Sequence, residues 1–381
     1  MPPKRTGDAA AADPKKRARK VHVISFTGNT TVDNSMIDVD ATDVTIQEGF
    51  ESIASSAFNT CHHLINVILP ESMKSIKREA FIYCDNLKSI NLENVQEIGS
   101  MAFFQCVSLC VISIPKVVQP GALGEEAFYY CFALHTVNHN LRVVPHRAFA
   151  WCYRLRTFDF STVEEVGNCS FERCRSLTEV HLPHVTTMGY TAFINCISLG
   201  VISIPKIIGP QAFAGCTALH TVHHNLEVVP IGTFLACSSL RTFDFSTVKE
   251  VEERAFKDCS SLTEVHLPHA TIIRRQAFSG CTSLGVISIP KIIGPQAFAA
   301  CTALHTVNHD LEVVEKEVFL KCTNLRTFDF STVKEVKEFA FKACSSLTEV
   351  HLQNGSKIGR QAFCDCTSLG VITIPQNVES A

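Results

Sequence analysis

The sequence predicts an α/β solenoid of about fifteen coils of about 22 residues, each made of one short strand and one short helix. Three observations lead there. The signature Phe-x-x-Cys-x-x-Leu occurs fifteen times between Phe58 and Phe363, in steps of 20 to 25 residues. A short apolar alternation follows the Leu, as in Leu262-Thr-Glu-Val265-His-Leu267-Pro268 and Leu284-Gly-Val-Ile287-Ser-Ile289-Pro290. Four coil types, LHTVNHN, LRTFDFS, LTEVHLP and LGVISIP, then cycle in that order, each returning after 85 residues from Leu134 onward.

The elements follow in chain order. Residues 1–20 carry seven Lys/Arg against two Asp and read as a disordered basic tail. Lys15, Lys16, Arg17, Arg19 and Lys20 within it resemble a monopartite nuclear-import sequence; the plainer alternative is a solubilising or nonspecific anion-binding tail. Residues 21–56 read as an N-terminal cap or incomplete first coils, with strands over 21–26 and 44–46, and 57–381 as the solenoid. In each coil the Leu-x-x-apolar-x-apolar run is the strand, its period-2 residues alternating between core and surface, and a Pro often marks the bend. Phe and Cys three apart share one face of a helical turn, so Ala-Phe-x-x-Cys is expected to be the short helix opposite the strand. One coil cannot bury its Phe, Leu, Val and Cys alone, and stacking aligns them in columns, each large side chain contributing about 1.5–3 kcal/mol. The chain stops just past a strand with no polar capping coil, so end-to-end self-association or an incomplete chain is expected there.

Composition narrows the function. The 381 residues are 46% hydrophobic with formal net charge −3; outside the tail 27 basic face 35 acidic side chains, about −8, which opposes duplex nucleic-acid binding. No run reaches the roughly 18–20 apolar residues of a membrane span, and the N-terminus lacks the apolar core of a secretory signal. An intracellular protein, nuclear or cytoplasmic, is expected. Fifteen of the eighteen cysteines occupy one repeat position, which points to reduced, packed thiols and away from a disulfide framework.

The candidate site is an outward-facing polar column on successive strands: Asn138, Asp159, His181, Ser203, His223, Asp244, His266, Ser288, Asn308, Asp329, His351 and Thr373. At strand spacings of about 4.7–4.9 Å, Asp244 is expected to reach His266 by a hydrogen bond. Asp244, His266 and Ser288 could be taken for a hydrolytic triad, but a flat ladder offers no oxyanion hole and no water-excluding pocket. Their 22-residue spacing is one coil, and they are read as a mutually hydrogen-bonded stripe, solvated or recognising a partner. His181, His266 and His351 lie roughly 19 Å apart at one spacing per coil, too far to share an ion, and no metal or cofactor is expected. His139, His224 and His309 stand where other coils have Leu, Ile or Phe; burial with a hydrogen bond to backbone is favoured over exposure at a shifted strand end.

Ile98-Gly-Ser-Met-Ala102-Phe103-Phe-Gln-Cys106-Val-Ser-Leu109 resembles the repeat of the BspA-like leucine-rich-repeat family, and the likeness extends over about residues 44–375. The resemblance implies a curved right-handed solenoid for protein or surface recognition, usually on cell surfaces, with no catalytic residues to carry over. The expected function is therefore a noncatalytic scaffold binding a protein or other macromolecule, its partner unnamed by the sequence. The alternatives are a cell-surface adhesin-like protein and a hydrolase using an Asp/His pair.

Overall fold

The computed structural model describes residues 19–353 and 355–373. Lys15, Lys16, Arg17 and the terminal segment 374–381, where self-association is expected, lie outside the described residues. The described chain winds through about sixteen turns, the extra one lying before Phe58, where Val21–Ile24 pairs in parallel with Asp43–Ile46.

The coils build two columns of parallel strands, each broken into shorter sheets. One is built from the expected strands, such as Glu264–His266, Val286–Ser288 and Thr306–Asn308, which pair residue for residue. The other comes from two-residue strands such as Glu250–Val251, Ile272–Ile273 and Ile292–Ile293, whose second residue is buried. Sequence reading placed one strand per coil and missed this second column, because two residues are too short to show a period.

The expected helix does not form. Among the described residues the helical element is a single 3-10 turn, Asn34–Met36. The Ala-Phe-x-x-Cys segment is a succession of tight turns, seen in the coil of Phe256. Lys257, Cys259 and Leu262 donate their amides to the carbonyls of Arg254, Phe256 and Cys259 in the same coil. The alternate amides of Arg254, Phe256 and Asp258 instead reach the carbonyls of Arg275, Ala277 and Ser279 in the next coil, at 2.8–3.1 Å. A segment this short would gain few internal helical bonds for a costly nucleus, whereas the turns provide three bonds between coils. Phe and Cys still share a side, since an i to i+3 turn brings them together as a helix would.

Those turns require left-handed backbone. In all fifteen Phe-x-x-Cys coils the residues two before and two after Phe have positive φ, as at Arg254 (57°) and Asp258 (61°). Glycine occupies this position at Gly215, Gly232 and Gly280, and other residues elsewhere, where the left-handed conformation costs roughly 1–2 kcal/mol. Their side chains offset part of that cost by bonding along the stack. Arg254 donates to Gln276 at 2.8 Å, Gln276 to Gln296 at 2.6 Å, and Gln296 to Glu317.

The core is a column of aromatic rings beside a column of thiols. From Phe58 to Phe363 every signature phenylalanine stacks on the next, with centroids 4.6–6.1 Å apart. Every signature cysteine from Cys84 to Cys366 donates its thiol to the carbonyl of the Phe in the preceding coil, at 3.1–3.4 Å. All eighteen cysteines are free thiols, and burial pushes the signature ones up, Cys216 and Cys301 to about 12. The expectation of packed, reduced thiols agrees with this, and the donor role adds a reason for Cys over Ala.

In urea unfolding, Phe256→Ala is expected to lose about 3–5 kcal/mol and Cys259→Ala about 1–2 kcal/mol; a neutral Cys259→Ala would deny the thiol bond any role. Ala300, with φ of 60°, tests the turn geometry. Ala300→Gly should leave stability unchanged or raise it by up to about 1 kcal/mol, while Ala297→Gly, in the buried position before Phe298, should lower it by about 1 kcal/mol.

Candidate functional site

The polar column forms on the longer strands, in segments. His181, Ser203 and His223 face one another in register, as do His266, Ser288 and Asn308, and His351 with Thr373. Asn138 pairs with Ser113. Asp159, Asp244 and Asp329 drop out, because no strand forms over 155–160, 240–245 or 325–330. Those coils carry Phe where others have Val or Ile. Phe243, half-buried, packs between Phe234 and Phe256, at 5.3 and 4.9 Å, in a place where other coils seat a smaller Val or Ile.

The expected Asp244 to His266 bond is corrected accordingly. Asp244 turns back on its own loop and accepts the Ser246 amide at 2.9 Å, and Asp159 and Asp329 do the same with Ser161 and Ser331. That bond holds all three carboxyls below their usual range. His266 instead meets Ser288 Oγ through Nδ1 at 3.3 Å, and its Nε2 lies 3.5 Å from Glu264. His181 repeats this with Ser203 and Glu179, and His351 with Thr373 and Glu349. The glutamates went unnoticed in the sequence, although Glu-Val-His puts Glu and His on one side of a strand.

Glu and His thus lie together with Ser twice and with Thr once, but on an open face. The His266 side chain is 54% exposed, and catalysis by such a trio rests on preorganised donors in a site that excludes water. The face carries shallow open depressions, one of about 460 Å³ lined by His266, Pro268, Ser288, Asn308 and Asp310. Among the described residues no group of three His, Cys, Asp or Glu is placed to hold a metal ion, and no helix is long and apolar enough to cross a membrane. Of the basic tract, Arg19 stands 4.0 Å from Asp43 and Lys20 pairs with Asp38 at 2.7 Å.

His139, His224 and His309 sit at the rim between this face and the core. Each Nδ1 accepts the amide of the leucine two residues on, at 3.0–3.1 Å. Each ring lies 4.1–4.2 Å from the phenylalanine of the following coil, Phe158, Phe243 or Phe328, and each Nε2 is buried without a partner. A second proton on Nδ1 would confront the leucine N–H, so the geometry holds the rings neutral. Burial lowers all three pKa values, against the pull of the neighbouring aspartates, His139 to about 4.

A parallel solenoid with an open polar face and a Phe/Cys core defines a leucine-rich-repeat protein. The family model described as "BspA type Leucine rich repeat region" matches in six copies over residues 33–143, 142–263 and 271–381, and the chain belongs to that family. Among solved structures it is similar to a leucine-rich repeat protein from Bacteroides ovatus, at 27% identity and a TM-score of 0.59, covering 75% of this chain and 86% of that one. A leucine-rich repeat protein of T. pallidum is 26% identical over 47% of this chain and 78% of its own, with a TM-score of 0.33. A leucine rich cell surface protein from Faecalibacterium prausnitzii is 23% identical, over 87% and 78% of the two chains, with a TM-score of 0.32. No curated protein matches the sequence.

The histidines predict a pH dependence of known sign. A histidine whose folded pKa lies below its unfolded value of about 6.5 binds more protons when unfolded. The stability it supports is complete above that value and is lost as pH falls toward the folded pKa, about 4 for His139. Stability should therefore decline from pH 7.5 to 5. The triple variant His139→Asn/His224→Asn/His309→Asn, which keeps an acceptor for each leucine amide, should show a flatter profile in thermal melts across that range.

Proposed function

We propose that the chain is a noncatalytic recognition protein whose longer-strand face binds another macromolecule, most directly a protein. The observation that carries this reading is the in-register row of exposed polar side chains, His181–Ser203–His223 and again His266–Ser288–Asn308, on a rigid sheet. Recurrence of the row suits an extended or repetitive partner. Polar groups fixed to a stacked scaffold lose little freedom on binding, which favours recognition through many modest contacts. The Asp/His hydrolase alternative loses its support with the Asp244 to His266 bond.

Location is part of the proposal: nuclear or cytoplasmic action, supported by the basic tract at 14–20 and by the abundance of unpaired thiols. A fluorescent fusion should concentrate in the nucleus and spread to the cytoplasm in Lys15→Ala/Lys16→Ala/Arg17→Ala. Accumulation of the intact protein at the cell exterior would favour the surface-recognition alternative.

The sheet-face reading is tested by replacing His181, Ser203, His223, His266, Ser288 and Asn308 with Ala and comparing the partners recovered on immobilised protein. Wild type should retain a set that the variant loses. Equal recovery by both would move the binding surface elsewhere.

A further inference from the structure

The face made by the turns carries a second surface of different chemistry. Tyr83, Phe104, Tyr129, Tyr130, Trp151 and Tyr153 form an unbroken chain of ring contacts across four successive coils, with neighbouring centroids 4.1–6.0 Å apart. Arginines lie over these rings. The guanidinium of Arg173 stands 4.3 Å above Trp151, that of Arg175 4.7 Å above Tyr153, and that of Arg147 5.7 Å from Tyr129. Arg154 and Arg156 continue the basic surface into an open depression of about 790 Å³, which His135 and Ser176 also line.

From Tyr130 onward the patch lies in coils whose copies 85 and 170 residues on are otherwise near-identical. At the following 85-residue steps Trp151 is matched by Ala236 and Lys321, Tyr153 by Ser238 and Thr323, and Tyr130 by Gly215 and Ala300. Arg173 is matched by Asp258 and Ala343, and Arg175 by Ser260 and Ser345. The coil thus folds without any of these side chains, and the solenoid does not require them. The chain's single tryptophan and four of its five tyrosines are gathered where the fold needs none.

We propose that this patch is a second binding surface and that its occupant is an extended acidic protein segment. Charge supports an anion: five arginines face only Glu126, 3.5 Å from Arg147, and Glu172, 3.7 Å from Arg173. Among the described residues Arg154, Arg156 and Arg175 have no carboxylate within ion-pair distance. A guanidinium held over an aromatic ring is positioned by it, and a positioned guanidinium can meet a carboxylate in a two-point bond. The same arrangement disfavours single-stranded nucleic acid, since the Trp151 and Tyr153 faces on which bases would stack are covered by Arg173 and Arg175. Tyr, Trp and Arg are also the side chains that dominate protein interfaces.

The test uses the full chain and a fluorescein-labelled deca-glutamate peptide, followed by anisotropy at 50 and 200 mM salt. Trp151→Ala/Tyr153→Ser and Arg173→Asp/Arg175→Ser install the residues that the next block already carries, so both should fold, as circular dichroism would verify. Each should weaken peptide binding at least tenfold. Arg274→Gln, which removes a cation paired with Glu250 elsewhere on the stack, should leave the affinity unchanged. Absence of saturable binding to the wild type, or equal affinity in the two patch variants, would overturn the proposal. So would tighter, patch-dependent binding of a ten-nucleotide oligothymidylate or a heparin-derived decasaccharide, which would assign the surface to a nucleic acid or a glycan.

Discussion

The stacked phenylalanine column is the constraint on which the rest of the molecule depends. A coil of about 22 residues has no interior of its own, and each signature Phe stacks on the rings of the coils before and after it. Ring contacts at 4.6–6.1 Å are close to the 4.7–4.9 Å separation of hydrogen-bonded strands. One repeat distance can therefore satisfy the core and both sheets together. The thiol bond from each Cys to the preceding Phe carbonyl fixes the same distance again, through a donor small enough to sit beside the rings.

That repeat distance explains the backbone of the turn face. Sending alternate amides to the next coil demands left-handed residues on both sides of Phe, a strained choice for side chains such as Arg254 or Phe339. The strain is tolerated because every turn is held by neighbours above and below. Polar side chains projecting from these residues, Gln276 and Gln296 among them, then link coil to coil.

Faces built this way are open, regular and stiff, which suits recognition better than chemistry. The longer-strand face offers small polar groups at fixed intervals, interrupted in the coils that carry Phe158, Phe243 and Phe328. The turn face varies from block to block at positions such as 151, 153 and 173, while the turns and the core behind them stay the same. An aromatic and basic cluster at Tyr130, Trp151, Tyr153, Arg173 and Arg175, against Ala, Gly, Ser, Thr, Lys and Asp at the matching positions further on, shows that near-identical coils carry unlike surfaces on one fold.

The periodic positions of Phe, Cys and Leu were enough by themselves to establish the solenoid, its coil length and the longer strands of the coils that carry Val or Ile, because a buried column admits few residue types and repeats them visibly, but not the absence of a strand over 155–160, 240–245 and 325–330. The order of the polar column was legible for the same reason, since His181, Ser203 and His223 alternate with core residues. The tertiary structure alone decided that Ala-Phe-x-x-Cys forms turns instead of a helix, because an i to i+3 spacing fits both and the choice rests on amide bonds to the next coil. It likewise decided that Asp244 serves its own loop while Glu264 approaches His266. Which polar neighbours meet depends on where the backbone stays in the sheet, and it leaves the sheet in the coils where a ring such as Phe243 stands beside Phe234 and Phe256 in place of Val or Ile.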